Sequence, residues 1–197
     1  LFRSPGWPID CSSIRQALIK NPPNPLYQRG ATLSSPIRLF FDLCPTKNII
    51  GVTGTKGKGT TASLIYEILR SAGKRAWLGG NIGVAPFSFF DKIKKDNWVV
   101  LELSSFQLED MQVSPHIAVI TNFFPEHLAA ADPNNPNFHK TIRDYWHAKS
   151  NIFLWQNKND WVIINRKLEI ITALAGSRHG GRNWKFVKSK KLFFGKY

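Results

Sequence analysis

The segment Gly51-Val52-Thr53-Gly54-Thr55-Lys56-Gly57-Lys58-Gly59-Thr60-Thr61 constrains this chain more than any other. The apolar run before it, 49–52, reads as a buried strand, and 60–72 reads as a helix. Glycines at this spacing let the backbone fold tightly, so that its N–H groups converge on phosphate oxygens. The following helix adds the positive end of its dipole, and Lys58 adds a point charge for terminal phosphates. A strand leading through such a loop into a helix is the context that a phosphate-binding loop requires. Two departures stand out: Gly51 lies one place earlier than in G-x-x-x-x-G-K-[ST], and Gly59 takes the place of the hydroxyl that holds Mg²⁺. The other reading of the segment is a plain glycine turn.

The remaining pattern fits the same class. Residues 1–47 are rich in Pro and Ser and lack strong periodicity, and Asn21-Pro22-Pro23-Asn24-Pro25 reads as a loop. The 60–72 helix carries Leu64, Ile65, Ile68, Leu69 and Ala72 as one apolar stripe, and Gly73 ends it. Runs 75–78, 98–103, 117–121 and 161–164 read as short strands, and 144–155 as a helix. Strands alternating with helices predict an α/β fold containing a phosphate-binding loop, with a mostly parallel sheet and helices on both faces. Ligands gather at the carboxyl ends of the strands in such sheets.

Composition narrows the classes. No apolar run approaches the roughly 18 residues of a membrane span, and hydrophobic (43%) and charged (20%) fractions are ordinary for a soluble globular protein. Cys11 and Cys44 resemble neither a disulfide framework nor a metal site, which suits a reducing cytoplasm. The first residue is Leu1, so the chain is expected to begin inside a longer gene. The formal charge of +14 is unusual, and nine Lys or Arg against one acid fall between Arg166 and Lys196. No nucleic-acid motif accompanies them, so the expectation is a solvated basic face, no nucleic acid partner and a monomer.

Three other side chains carry chemistry, each with a plainer alternative. Glu102 interrupts the apolar run 98–103 and suits a Mg²⁺ ligand at a strand's carboxyl end, or a satisfied edge residue. Ser104, Ser105 and Gln107 follow it as hydrogen-bonding groups. His127 can ligate metal or contact phosphate, or be incidental. Lys149 falls on a helical stripe with Ile142, Tyr145, Trp146, Ile152 and Phe153. It either faces inward, needing a counter-charge, deprotonation or modification, or snorkels to the surface.

Together these residues resemble the Mur ligase family, and within it the D-glutamate-adding branch. Glu102-Leu103-Ser104-Ser105-Phe106-Gln107-Leu108-Glu109 is the most specific part of the resemblance. Gly80-Asn81-Ile82-Gly83, Glu126-His127 and Ala148-Lys149 stand at matching places, and Ser4-Pro5-Gly6 resembles the end of the family's amino-terminal domain. The resemblance implies a division at residue 47. Residues 1–46 would be a remnant of the uridine-nucleotide-binding domain and its linker. Residues 47–197 would be the central ATP-binding domain, incomplete at its carboxyl end.

The resemblance also implies a reaction, the ATP-dependent addition of D-glutamate to UDP-N-acetylmuramoyl-L-alanine through an acyl phosphate, in peptidoglycan synthesis. Gly54, Thr55, Lys56, Gly57, Lys58, Gly59, Thr60 and Thr61 would hold ATP. Glu102, His127 and a carbamylated Lys149, with Thr60 replacing the hydroxyl missing at Gly59, would hold Mg²⁺. Lys58, Glu102, His127 and Lys149 would be the catalytic set, and Ser4, Asn81, Ser104, Gln107 and His127 would contact the substrate. The resemblance implies that the family's carboxyl-terminal domain and most of its amino-terminal domain are not included in these residues, so this chain alone is expected not to turn over. Ala129, where the family often has an acid, is a further departure. A non-catalytic nucleotide-binding or basic nucleic-acid-binding module on the same fold stays open as the alternative.

Overall fold

A computed structural model describes residues 35–126, 128, 138–168 and 187–195. Ser4, His127, Ala129 and most of the basic stretch after Leu168 lie outside the described residues.

Six strands form one sheet in which every pairing is parallel. They are β1 (Ile49–Thr53), β2 (Ala76–Gly80), β3 (Trp98–Glu102), β4 (Ile117–Ile120), β5 (Trp161–Asn165) and β6 (Lys190–Phe194), in the order β2-β3-β1-β4-β5-β6. The helices are α1 (Pro36–Leu43), α2 (Lys58–Ser71), α3 (Ser105–Leu108) and α4 (Ile142–Leu154), with a 3-10 helix at Pro86–Lys92. Every residue of β1 is buried, because β1 is central and covered on both faces. On one face α2 packs Ala62, Ile65 and Leu69 over Ile50, Val52, Val100 and Val119. On the other, α1, the 3-10 helix, α3 and α4 enclose a larger core containing Val99, Leu101, Ala118 and Ile120. Among the described residues, no helix is long and apolar enough to cross a membrane.

Three expectations need correction. Residues 36–43 are helical although the segment before residue 47 showed no strong period. Ser35 accepts a hydrogen bond from the Arg38 amide, and Pro36 occupies the start of the helix, where its missing N–H is harmless. Ile37, Phe40 and Phe41 then anchor α1 in the core shared with β3 and α4. Secondly, Leu64 and Ile68 are 58% and 66% exposed, so the buried stripe of α2 runs through Ala62, Ile65 and Leu69 instead. Thirdly, Ile142 is exposed in the first turn of α4, whereas Tyr145, Trp146, Lys149, Ile152 and Phe153 are buried. Strand β6 was not anticipated, because Lys188, Lys190 and Lys191 leave only the short apolar run Leu192-Phe193-Phe194.

The order of the strands creates the site. From β1 the chain travels to β2 on one side, returns through β3, and resumes at β4 on the other side of β1. The carboxyl end of β1 therefore lies between those of β3 and β4, with Val52 beside Glu102 and Thr53 beside Ile120. A crevice at such a switch point is where open parallel sheets bind ligands.

Candidate functional site

The loop between β1 and α2 owes its shape to two glycines. Gly54 has φ 149°, and a Cβ there would collide with Thr121 Oγ1. Gly57, the residue before α2, has φ 76°, in the left-handed region that favours glycine. The first amides of α2 follow directly, giving the positive helix end that anions seek.

Asn122, at the carboxyl end of β4, holds this loop from the side. Its Oδ1 accepts from the Thr55 and Lys56 amides at 3.2 and 2.8 Å, and its Nδ2 donates to the Lys56 carbonyl at 2.9 Å. Thr121 Oγ1 donates to the same carbonyl at 2.7 Å. Inside the loop, Thr55 Oγ1 accepts from the Phe124 amide at 2.9 Å and lies 3.2 Å from Tyr145 Oη. The Thr55 hydroxyl is thus a staple for the loop. Lys56, Gly57 and Thr60 are exposed, as a loop that receives a ligand from solvent requires.

Two lysines point at loop carbonyls. Lys58 Nζ donates to the Thr55 carbonyl at 2.9 Å, and Lys149 Nζ donates to the Gly54 carbonyl at 2.7 Å. Lys149 is 2% exposed, and its Nζ lies 4.7 Å from the centroid of the Tyr145 ring. Burial, helped by the neighbouring Lys58 ammonium, brings Lys149 from the usual 10.5 down to about 7, against the opposing pull of Glu126 and Glu102. The side chain therefore faces the phosphate loop and does not snorkel to the surface. Burial also raises the phenol of Tyr145 above its usual value.

Glu102 ends β3 on the other flank. It is 6% exposed, accepts from Asn81 Nδ2 at 3.3 Å through Oε1, and its carbonyl accepts from the Asn81 amide at 2.8 Å. Ser104 and Gln107 are engaged with each other in a capping box. Gln107 donates its amide to Ser104 Oγ at 3.2 Å, and the Ser104 amide donates to Gln107 Oε1 at 2.9 Å. At Gly59 a Cβ would stand 3.1 Å from Glu102 Oε2 and 3.0 Å from Ile82 Cδ1. The start of α2 thus packs directly against the carboxylate.

The donor chemistry decides which cation suits this place. Among the described residues no three His, Cys, Asp or Glu side chains gather as a metal site. Glu102 supplies the hard oxygen that Mg²⁺ prefers, but an ammonium at Lys149 would repel the ion. A carbamate at Lys149 would reverse that sign and add oxygen donors. The residues fit a divalent cation with Lys149 modified, and not with its ammonium.

Three contributors were not singled out from sequence. Asn122 could have been found, because it directly follows a strand's carboxyl end beside the loop. Tyr145 was placed on the buried stripe, but its hydrogen bond to Thr55 leaves no local signal. His139 lies 2.9 Å through Nε2 from Ser105 Oγ, thirty-four residues earlier in the chain, and no motif surrounds it.

The family model for the Mur ligase middle domain matches residues 52–192, the stretch that runs from the phosphate loop through α4 to β6. The chain belongs to the Mur ligase family. A UDP-N-acetylmuramoylalanine--D-glutamate ligase from Acetivibrio thermocellus is 41% identical over 180 residues, covering 91% of this chain and 35% of the relative. The enzyme of the same name from Clostridium acetobutylicum is 40% identical over 197 residues, covering 100% of this chain and 38% of the relative. This Mur ligase chain therefore spans little more than a third of the length of these curated relatives. Among solved structures, the Neisseria meningitides UDP-N-acetylmuramate:L-alanyl-gamma-D-glutamyl-meso-diaminopimelate ligase shares its fold. The TM-score is 0.54 at 19% identity, covering 98% of this chain and 56% of that one.

Proposed function

We propose that this chain supplies the nucleotide-handling centre of an ATP-dependent ligase that joins D-glutamate to UDP-N-acetylmuramoyl-L-alanine. The observation that carries the reading is Lys149, a buried lysine held on the Gly54 carbonyl of the phosphate loop. A binding module gains nothing from burying a cation beside Lys58. A ligase that converts this amine into a metal-binding carboxylate does.

In the first step, an oxygen of the alanyl carboxylate attacks the γ-phosphorus of ATP, and the bond to the β-phosphate oxygen breaks to release ADP. The amine nitrogen of D-glutamate then attacks the acyl carbon. Phosphate leaves with the carbon–oxygen electron pair, and the nitrogen gives up a proton. Within the segment from Gly54 to Thr61, the amides not already bonded to Asn122 or Gly57 and the Lys58 ammonium would hold the phosphates and balance the charge of the migrating group. For this, Lys58 must leave the Thr55 carbonyl on which it rests. Asn122, bonded to the Thr55 and Lys56 amides and the Lys56 carbonyl, holds the loop in shape while that happens.

Mg²⁺, when bound, would neutralise charge between the transferred and leaving phosphate oxygens; Glu102, Thr60, His127 and the Lys149 carbamate would hold it. Lys149 is suited to modification: at about 7, its pKa leaves much of the amine neutral near neutral pH. A neutral amine adds CO₂ to give the carbamate and one proton. Ser4, Asn81, Ser104, Gln107 and His127 would contact the uridine-nucleotide substrate, and Asn81 also donates to Glu102.

Phosphate release by the complete protein tests the proposal. Release is expected only with all three substrates present, and Lys58→Ala should lower it by on the order of 10³-fold or more. Release that needs neither D-glutamate nor Lys58 contradicts the reading.

A further inference from the structure

We propose that His139 is a positioning residue for the metal and phosphate centre, fixing the segment that follows Glu102 against the helix that carries Lys149. The inference rests on the ligase reading for what the centre does; how the centre is held follows from His139's own contacts.

His139 is 3% exposed. One face of its ring lies on Phe106, with centroids 4.7 Å apart and planes 2° from parallel. Its Nε2 lies 2.9 Å from Ser105 Oγ. The ring also meets Tyr145, with centroids 5.2 Å apart and planes inclined by 42°. Its backbone forms a parallel bridge with Leu128, the residue that follows His127.

These partners are not scattered. Ser105 and Phe106 open α3, whose N-cap Ser104 follows Glu102 and Leu103. Tyr145 precedes Lys149 by one turn of α4, and the Lys149 ammonium lies 4.7 Å from the centroid of its ring. The Tyr145 hydroxyl is 3.2 Å from Thr55 Oγ1 in the phosphate loop. A single imidazole therefore touches the segment leading from the acid and the residue beneath the lysine, and through Tyr145 it reaches the loop. Phenylalanine would stack but leave Ser105 without its hydrogen bond, and leucine would provide neither.

Groups that orient metal ligands without touching the metal typically change metal affinity by about 10–100-fold when removed. His139 acts through Ser105 and Tyr145, so the lower end of that range applies. The measurement is a Mg²⁺ titration of the binding of a non-hydrolysable ATP analogue to the complete protein, with thermal unfolding followed in parallel.

His139→Leu should raise the Mg²⁺ concentration for half-maximal binding by about tenfold. His139→Gln, which can bond Ser105 through its side-chain amide, should recover much of the loss. Ser105→Ala should weaken Mg²⁺ dependence in the same direction, and adding it to His139→Leu should have less effect than adding it to wild type. If His139→Leu does not fold, His139→Gln and Ser105→Ala carry the test. A half-maximal Mg²⁺ concentration unchanged in folded variants overturns the proposal, even where their unfolding midpoints fall. Wild-type protein without Mg²⁺-dependent nucleotide binding overturns it together with the ligase reading. Wild-type binding without ligation, combined with a shift in His139→Leu, supports the positioning role and removes the ligase reading instead.

Discussion

Lys149 has a folded-state pKa of about 7 against 10.5 for a free lysine, because it is buried and Lys58 stands nearby. Between those values the unfolded chain binds more protons than the folded one, so this group makes stability rise with pH. Below about pH 7 the ammonium is charged in both states, and its whole desolvation penalty, on the order of several kcal/mol, weighs on the fold. Lys149→Met keeps the length of the side chain and removes the charge. In CO₂-free buffer it should raise the unfolding midpoint most at about pH 6, with the gain shrinking toward pH 10. At the alkaline end the lost bond to the Gly54 carbonyl should leave the variant level with wild type or below it. A midpoint difference that does not change with pH would mean that Lys149 is not buried as an ammonium. The inward direction of this lysine was one of two readings open in the sequence, since helical spacing places it on an apolar stripe but does not say whether the stem bends outward. The oxygen on which it rests could not be foreseen, because Gly54 lies 95 residues away.

At the scale of elements, what was legible depended on how local the cause is. The β1–loop–α2 unit could be read because glycine spacing, Lys58 and the helix start lie within one short segment. The stripe of α2 was misplaced at Leu64 and Ile68, since which face turns inward is decided by the sheet it rests on and not by the helix. Helix α1 escaped because its anchor is distant. Phe40 meets Phe87, Phe89 and Phe90 edge-on, with ring centroids 5.8, 6.3 and 5.8 Å away, and those rings come from the 3-10 helix. Truncating a fully buried aromatic side chain costs about 3–5 kcal/mol through lost transfer energy and the cavity left behind. Phe40→Ala should lower unfolding free energy by that amount in a denaturant titration. A loss below about 1 kcal/mol would show that α1 is not a working part of this core.

For the whole molecule, function follows from strand order. Because β3 and β4 flank β1, the acid, the phosphate loop and Asn122 meet at the carboxyl ends of these central strands, and α4 brings Lys149 beneath the loop from the opposite face to α2. The formal charge of +14 suits a protein whose proposed substrates are polyanions, and it would favour their encounter at low ionic strength. The central claim is that these parts activate a carboxylate by phosphorylation. Oxygen transfer tests it most directly, with ¹⁸O in the alanyl carboxylate of UDP-N-acetylmuramoyl-L-alanine, ATP, D-glutamate and the complete protein. An acyl phosphate made by attack of that carboxylate and broken at its carbon–oxygen bond must leave one labelled oxygen in each phosphate released. The account predicts phosphate carrying a single ¹⁸O, formed in step with the amide product. Amide formed with unlabelled phosphate would contradict it.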